Sequence, residues 1–295
     1  MKYSMRRDGI TQSMINNFLN CPMMGLFALE WEENSVEDRV RFGNIVHYVL
    51  EQMHRGRGTG PECVAAYLEE AREELSLGLH LDDEAVELDL AKAEAVMDEY
   101  VIARPEEFSG KVWMDAEMVF ELDWMGYRLR GKIDALYVDK KGAQWIMEHK
   151  TRGKIIEDRL MRLLAIDFQI QLYLLAWEAW KGQRLRGVTY NIIRNPGTRP
   201  HLGEGLLEYK ERLRKEISRN RSHFFHRFPI KFTIRDRDEF ETELLMKLAY
   251  VERILCGHQV PFRNQSSCYQ CDYVDLCVAG ERGKYHKREL FKELR

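Results

Sequence analysis

Asp134, Glu148 and Lys150 are the residues whose types and spacing point most directly to a reaction. They lie in Gly131-Lys132-Ile133-Asp134-Ala135 and, after a short turn, in Glu148-His149-Lys150. Both segments read as strands, and residues two apart on a strand face the same side, so Glu148 and Lys150 share a face. The intervening Asp139-Lys140-Lys141-Gly142-Ala143 suits a three-residue hairpin loop with glycine in the left-handed position. If Lys140 to Gly142 form that loop, Asp139 pairs with Ala143. Counting back then sets Asp134 opposite Glu148, with Cβ atoms roughly 4.5–5.5 Å apart. Two opposed carboxylates repel each other, and a divalent cation reverses that penalty. The cation can polarise a phosphate and make a nearby water more acidic. Lys150 beside it can orient the water or stabilise negative charge in the transition state. A solvated charged hairpin would contain the same residue types. The apolar run Trp145-Ile146-Met147 instead marks Glu148 as following a buried strand.

Two further pairs flank this hairpin. His47 and Glu51 are i and i+4 in Gly43-Asn44-Ile45-Val46-His47-Tyr48-Val49-Leu50-Glu51, hence on one helix face, as metal ligands, as partners of ligands, or simply as a surface pair. Gln169 and Tyr173 repeat that spacing on the helix after the hairpin, where they could hold phosphate oxygens, stack a base, or do no more than pack. Cys268-Tyr269-Gln270-Cys271 and Cys277 give C-x2-C-x5-C, and Cys21 lies near the other end of the chain. Four thiolates complete a ligand set for a 4Fe–4S cluster or for tetrahedral zinc, and ligand type alone leaves both open. Such a site would be a clasp between terminal segments. Cys63 and Cys256 have no close companions and read as inert thiols. Arg152 and Lys154 after the hairpin, and Arg282, Lys284, Lys287 and Arg288 in the tail, could line a nucleic-acid path or form a solvated face.

The elements that must position these groups follow from pattern. Residues 11–30 and 36–53 read as helices, then a Gly/Arg-rich loop, then Ala/Glu-rich helices at 61–76 and 82–103 that suggest a helical insert. Residues 111–122, 127–139 and 143–150 form a three-stranded antiparallel meander. A helix at 156–180, a buried strand at 187–193 and helices at 204–225 and 237–256 lead to the cysteine-rich tail. The class is α/β, a mixed sheet flanked by helices. The 295 residues suffice for a sizeable core, and 45% hydrophobic with 32% charged residues is ordinary for a globular chain. The formal net charge of −3 excludes a generally basic nucleic-acid binder, though metal-binding carboxylates can lower the total while local basic patches hold phosphate. No apolar run long enough to span a membrane and no signal core is evident, so a cytoplasmic location is expected, where cysteines stay reduced.

Taken together, these motifs resemble the RecB-like PD-(D/E)XK nucleases, and within them the iron–sulfur subgroup that includes CRISPR-associated RecB-like exonucleases, the AddB nuclease domain and phage exonucleases. His47 in Gly43-x3-His47-x3-Glu51, Asp134 in Gly131-x-Ile133-Asp134, Glu148 with Lys150, Gln169-x3-Tyr173, and Cys21, Cys268, Cys271 and Cys277 occur in the family's order. The resemblance implies a restriction-endonuclease-like core in a single domain over 1–295. Within it fall a helical insert at 57–105, a catalytic sheet and helix at 106–195, and a tail at 256–295 closing on Cys21. It implies Mg2+ or Mn2+ held by His47, Asp134, Glu148 and the backbone carbonyl of His149, with Lys150 catalytic and Glu51, Gln169, Tyr173 and Arg152 assisting or touching DNA. It implies a 4Fe–4S cluster in preference to zinc, and exonucleolytic hydrolysis of DNA, single-stranded or at free ends. With no G-x4-G-K-[ST] loop, unwinding would fall to a helicase or recombination partner, and the setting would be bacterial or a phage-infected host. The competing expectations are a non-catalytic DNA-binding or partner-docking module that keeps the fold and the clasp, and a zinc-clasped RNA-binding protein.

Overall fold

A mixed sheet, rather than the helices that outnumber its strands, sets the positions of the reactive groups. The structure is a computed structural model and describes residues 3–33, 42–76, 83–109, 111–155 and 157–288. In chain order, β1 (Ile10–Thr11) leads into α1 (Gln12–Asn20), α2 (Pro22–Glu30) and β2 (Trp31–Glu33). Four helices follow: α3 (Phe42–His54), α4 (Gly60–Ser76), α5 (Asp83–Ala103) and α6 (Glu106–Ser109). The meander is β3 (Val112–Trp124), β4 (Tyr127–Val138) and β5 (Gln144–Arg152). After it come α7 (Glu157–Leu164), α8 (Phe168–Lys181), β6 (Val188–Arg194), α9 (Leu206–Arg219), α10 (Arg221–Phe224) and β7 (Phe225–Ile230). The chain closes with α11 (Ile234–Leu255), a 3-10 turn at Gln265–Gln270, α12 (Val274–Val278) and β8 (Tyr285–Lys287).

The large sheet runs β1-β4-β5-β6-β7, with β3 on the other edge of β4. The β3–β4, β4–β5 and β6–β7 pairs are antiparallel, and β1–β4 and β5–β6 are parallel. The expected mixed sheet flanked by helices is therefore present. The turn chemistry also holds: Asp139 N–H donates to Ala143 O at 2.9 Å and Gly142 takes φ +78°. The register is Ala135↔Met147 through Val138↔Gln144. Past Ala135 the strands part, and β5 turns its edge to β6, where Glu148 meets Tyr190 and His149 meets Asn191.

The cores lie on both faces of this sheet. One packs α3, α5 and α9 around Val46, Leu50, Met97, Tyr100 and Leu213, and the other seats α8 on Ile133, Ile146 and Ile192. Each such large apolar side chain contributes about 1.5–3 kcal/mol by leaving water. Segment 57–105 thus shares its core with α3 and α9.

Several boundaries differ from the sequence expectation. The helix expected over 11–30 is broken at Cys21, whose extended backbone (φ −160°, ψ 116°) precedes Pro22 at the start of α2. The residue before a proline is pushed out of the helical region, so the break is local chemistry. The helix expected over 156–180 is likewise two, because Asp167 caps α8 by accepting the Ile170 N–H at 3.2 Å. The helix expected over 204–225 ends at Arg219, and Phe225 opens an edge strand, β7, that carries Pro229. Residues 36–41 of the expected 36–53 helix lie outside the described residues. The stretch Leu160–Lys181 does meet the length and composition of a membrane span, contrary to expectation. The break at Asp167 interrupts it, and α8 lays Ile170, Leu172 and Trp177 into the core.

Candidate active site

Where the β4–β5 ladder ends, past Ala135↔Met147, the reactive side chains gather between α3 and α8. Gly43 lets α3 approach: a Cβ there would lie 2.9 Å from Thr151 Oγ1 on β5. One turn on, His47 points at the sheet, with Nδ1 3.7 Å from Asp134 Oδ2. Gly131 plays the same part for α8, since a Cβ there would come within 2.6 Å of Phe120 and 3.0 Å of Tyr173.

Asp134 Oδ2 accepts the His149 backbone N–H at 2.8 Å. Glu148 is 1% exposed. Its Oε1 takes the Lys150 ammonium at 2.5 Å, and its Oε2 is buried with no hydrogen-bond partner among the described residues. Lys150 Nζ donates onward to Gln169 Oε1 at 2.9 Å, and Gln169 Nε2 donates to the Tyr173 hydroxyl at 3.0 Å. Four of the residues singled out from sequence thus form one chain of contacts: Glu148, Lys150, Gln169 and Tyr173.

Burial pushes Asp134 up to about 7, the His149 N–H opposing. Burial and then the facing charge of Asp134 push Glu148 up to about 8. Burial lowers His47, keeping its imidazole neutral and able to donate an electron pair. The ammonium of Lys150 is opposed by burial but raised by Glu148, so it stays charged. Two under-partnered carboxyls, a neutral imidazole and an orphan carboxylate oxygen fit a hard divalent cation.

The structure adds a residue that sequence reasoning passed over. Ligand atoms of His47, Glu117 and Asp134 all lie within 4.8 Å of one another, and Glu148 is not part of that group. Glu117 takes the left-handed region (φ 53°) within β3 and pairs with Lys132. The signal was available: Met125-Gly126 is a two-residue turn with φ 49° and 80°, pairing Trp124 with Tyr127. Counting back from it places Glu117 opposite Asp134.

Other expected site residues stand apart. Glu51 lies within 2.9 Å of Arg55, as an i,i+4 ion pair. Arg152 and Lys154 are exposed at and beyond the end of β5. The tail cations fasten the tail. Lys284 pairs with Asp275 at 2.7 Å, Arg282 and Lys287 cover the Trp31 ring at 5.4 and 5.9 Å, and Arg288 donates to Ala28 O at 3.2 Å.

That tail brings the cysteines toward one another. β8 pairs with β2, and Tyr273 stacks between Phe27 and Tyr285. Cys21 Sγ accepts the Asn264 N–H at 3.4 Å, Cys268 Sγ lies 3.7 Å from Asn264 O, and Cys277 Sγ accepts Arg263 Nε at 3.3 Å. Cys271 is close enough to feel Cys21 and Cys268, and burial raises its thiol. Cys63 is buried in the helical core and Cys256 is exposed, away from this group.

A mixed sheet flanked by helices, with Asp134, Glu148 and Lys150 gathered at the end of the β4–β5 ladder, agrees with the expected restriction-endonuclease-like core. The chain belongs to the PD-(D/E)XK nuclease superfamily, whose family model matches residues 10–278. Among solved structures it is similar to a "putative exonuclease" from Eubacterium rectale, with 14% identity, a TM-score of 0.52, and coverage of 93% of this chain and 92% of that one. A second, SSO0001, is also 14% identical and has a TM-score of 0.34, covering 80% and 84% of the two chains. Among curated proteins none matches the chain.

Proposed function

We propose that this nuclease is a divalent-cation-dependent deoxyribonuclease that degrades DNA from single-stranded regions or free ends. The observation that carries this reading is Glu148: a carboxylate 1% exposed, with an oxygen left without a partner, facing Asp134 and bonded to Lys150. Burying such a group costs several kcal/mol unless something binds it. Asp134, Glu148 and His47 would hold Mg2+ or Mn2+, with the His149 backbone carbonyl and Glu117 as further donors. The cation would polarise a phosphate oxygen and offset the charge that builds on it.

The protein's own groups divide the remaining work. Lys150, held between Glu148 and Gln169, presents an ammonium to the attacking water or to the phosphate. Gln169, fixed by Tyr173, keeps the lysine from folding back. Arg152 and Lys154 offer exposed charge for the strand on either side of the scissile bond. The neighbour described as an exonuclease supports attack from an end.

The clasp is read as a 4Fe–4S site on Cys21, Cys268, Cys271 and Cys277. Tetrahedral zinc at about 2.3 Å per thiolate sets sulfurs roughly 3.8 Å apart. The four thiolates suit either group, and zinc remains the alternative that the absorption spectrum separates.

The test is anaerobic purification followed by visible absorption and degradation of end-labelled single-stranded DNA with Mn2+, Mg2+ or chelator. Brown protein that releases nucleotides only with added metal, and loses this with Lys150→Ala, is the expected result. Equal nucleotide release by wild type and Lys150→Ala would sink the nuclease assignment of this site. Brown protein that binds DNA without cutting it would favour a binding module. Colourless, zinc-loaded and active protein would overturn the cluster alone.

A further inference from the structure

β6 is buried from Val188 to Ile193, yet an amide sits in the middle of it: Asn191 is 0% exposed. An apolar side chain would pack there at lower cost, because each buried polar atom must find a partner. Asn191 finds a complete set. Its Oδ1 accepts from Arg227 Nε and Nη2, both at 3.3 Å. Its Nδ2 donates to the Tyr100 hydroxyl at 2.8 Å and faces His149 Nδ1 at 3.0 Å.

Arg227 decides which way the amide points. A guanidinium has donors only, so the atom facing it must be the oxygen, and the nitrogen must face His149. His149 Nδ1 then accepts, and the ring proton lies on Nε2. Arg227 is itself anchored: Nη1 reaches Glu106 at 2.8 Å, and Nη2 reaches the Tyr100 hydroxyl at 2.9 Å and Glu107.

The ring fixed in this way lies between the cation centre and the Glu107 cluster. It meets His47 edge-on, with centroids 5.9 Å apart at 90°, and stacks on His54 at 5.2 Å. Its own backbone N–H grips Asp134 Oδ2, the oxygen that His47 approaches. A displaced His149 ring would therefore disturb both groups.

We propose that Asn191 is a positioning residue for the cation centre: oriented by Arg227 and Tyr100, it locks the His149 ring and so fixes Asp134 and His47 for metal. This rests on the divalent-cation reading given above. Partners that orient a ligand in this way typically change metal affinity by one to two orders of magnitude when lost.

The experiment is calorimetric titration of Mn2+ into the full-length protein, wild type against Asn191→Leu, with DNA degradation measured across Mn2+ concentrations. The expected result is a dissociation constant raised about tenfold, with cleavage lost at low Mn2+ and recovered at saturation. Tyr100→Phe, which removes one hydroxyl behind the amide, should weaken Mn2+ roughly threefold, the worth of one hydrogen bond. It carries the test if Asn191→Leu does not fold. Variants that bind Mn2+ within twofold of wild type would overturn the role of Asn191. A wild type that neither binds Mn2+ nor cuts DNA would overturn the reading of the site itself.

Discussion

Glu148 and Glu107 are equally hidden, at 1% and 2% exposure, and yet they are in opposite electrostatic states. Glu107 is fully answered: His54 Nε2 reaches it at 3.3 Å, Lys111 at 3.2 Å, and Arg227 closes on the same carboxylate. Burial would raise its pKa, but the His54 hydrogen bond and the Arg227 charge outweigh burial and hold it well below the usual carboxylate range. Glu148 has one cation, one orphan oxygen and a second carboxylate opposite, and is pushed up to about 8. Burial alone therefore does not mark a site. A satisfied buried charge belongs to the framework, and an unsatisfied one is arranged for something that arrives from outside.

The largest effects should separate the two glutamates by kind. Glu148→Gln should lower DNA cleavage about a thousandfold or more while leaving a folded protein. Glu107→Ala should instead cost about 3–5 kcal/mol of stability, because it leaves Lys111 without its counter-charge and Arg227 with Glu106 alone. Cleavage assays and thermal melts of both variants check this. A destabilised Glu148→Gln, or a Glu107→Ala that melts like wild type, would break the contrast.

pH sharpens it further. Asp134 and Glu148 have folded pKa values raised to about 7 and about 8, above their unfolded values. Stability is then fully present below about pH 4 for these groups and is lost as pH rises through 7 and 8. Glu107, depressed, contributes stability above its unfolded value and loses it as pH falls. His54 and His149, kept neutral by burial, add to that acid loss. Chelator-treated protein should therefore melt highest between about pH 5 and 7, with a decline above that of up to roughly 1.4 kcal/mol per unit per group. Mn2+ should remove the alkaline decline, and Glu148→Gln should flatten it without metal. A melting temperature that rises from pH 6 to pH 8 in chelator would contradict the raised carboxyls.

Glu117 is a smaller and more local case. Glu117→Gln should weaken Mn2+ about tenfold by calorimetry, with folding intact, if this carboxylate completes the group with His47 and Asp134. Unchanged affinity would assign it to the Lys132 ion pair alone.

How far these arrangements were legible in sequence depends on how locally they are determined. The β4–β5 register as far as Ala135↔Met147 follows from one turn, because Gly142 fixes the loop and strand periodicity does the rest, whereas Asp134 lies past the last pair and accepts the His149 N–H. Glu117 could have been read in the same way from Met125-Gly126. The break at Cys21 was carried by Pro22. By contrast, nothing near Asn191 or Arg227 in the chain announces their contact. β7 holds a proline and two polar or charged positions, His226 and Arg227, tolerable on an edge strand and deceptive as a pattern. The Glu107 cluster draws on α3, α6, Lys111 just before β3, and β7, so it exists only once the sheet has formed. Unsatisfied groups were legible by motif, and satisfied ones were not.

The smallest predicted effect tests whether the site depends on approach distance as well as on charge. Gly43 sits on α3 one turn before His47, and a Cβ there would lie 2.9 Å from Thr151 Oγ1 and 3.9 Å from its Cβ. Alanine gains up to about 0.5–1 kcal/mol of helix preference over glycine. Overpacking at this contact costs about 1–3 kcal/mol. The two nearly cancel in stability, so Gly43→Ala should melt within about 1 kcal/mol of wild type. Geometry does not cancel: α3 must lift by tenths of an ångström, taking His47 from Asp134, and cleavage should fall several-fold. Because the close atom is a single hydroxyl, Gly43→Ala with Thr151→Ala should recover the lost cleavage and keep the helix gain, giving a non-additive pair. Additive losses in that double variant would mean that Gly43 serves α3 for a reason other than its approach to β5.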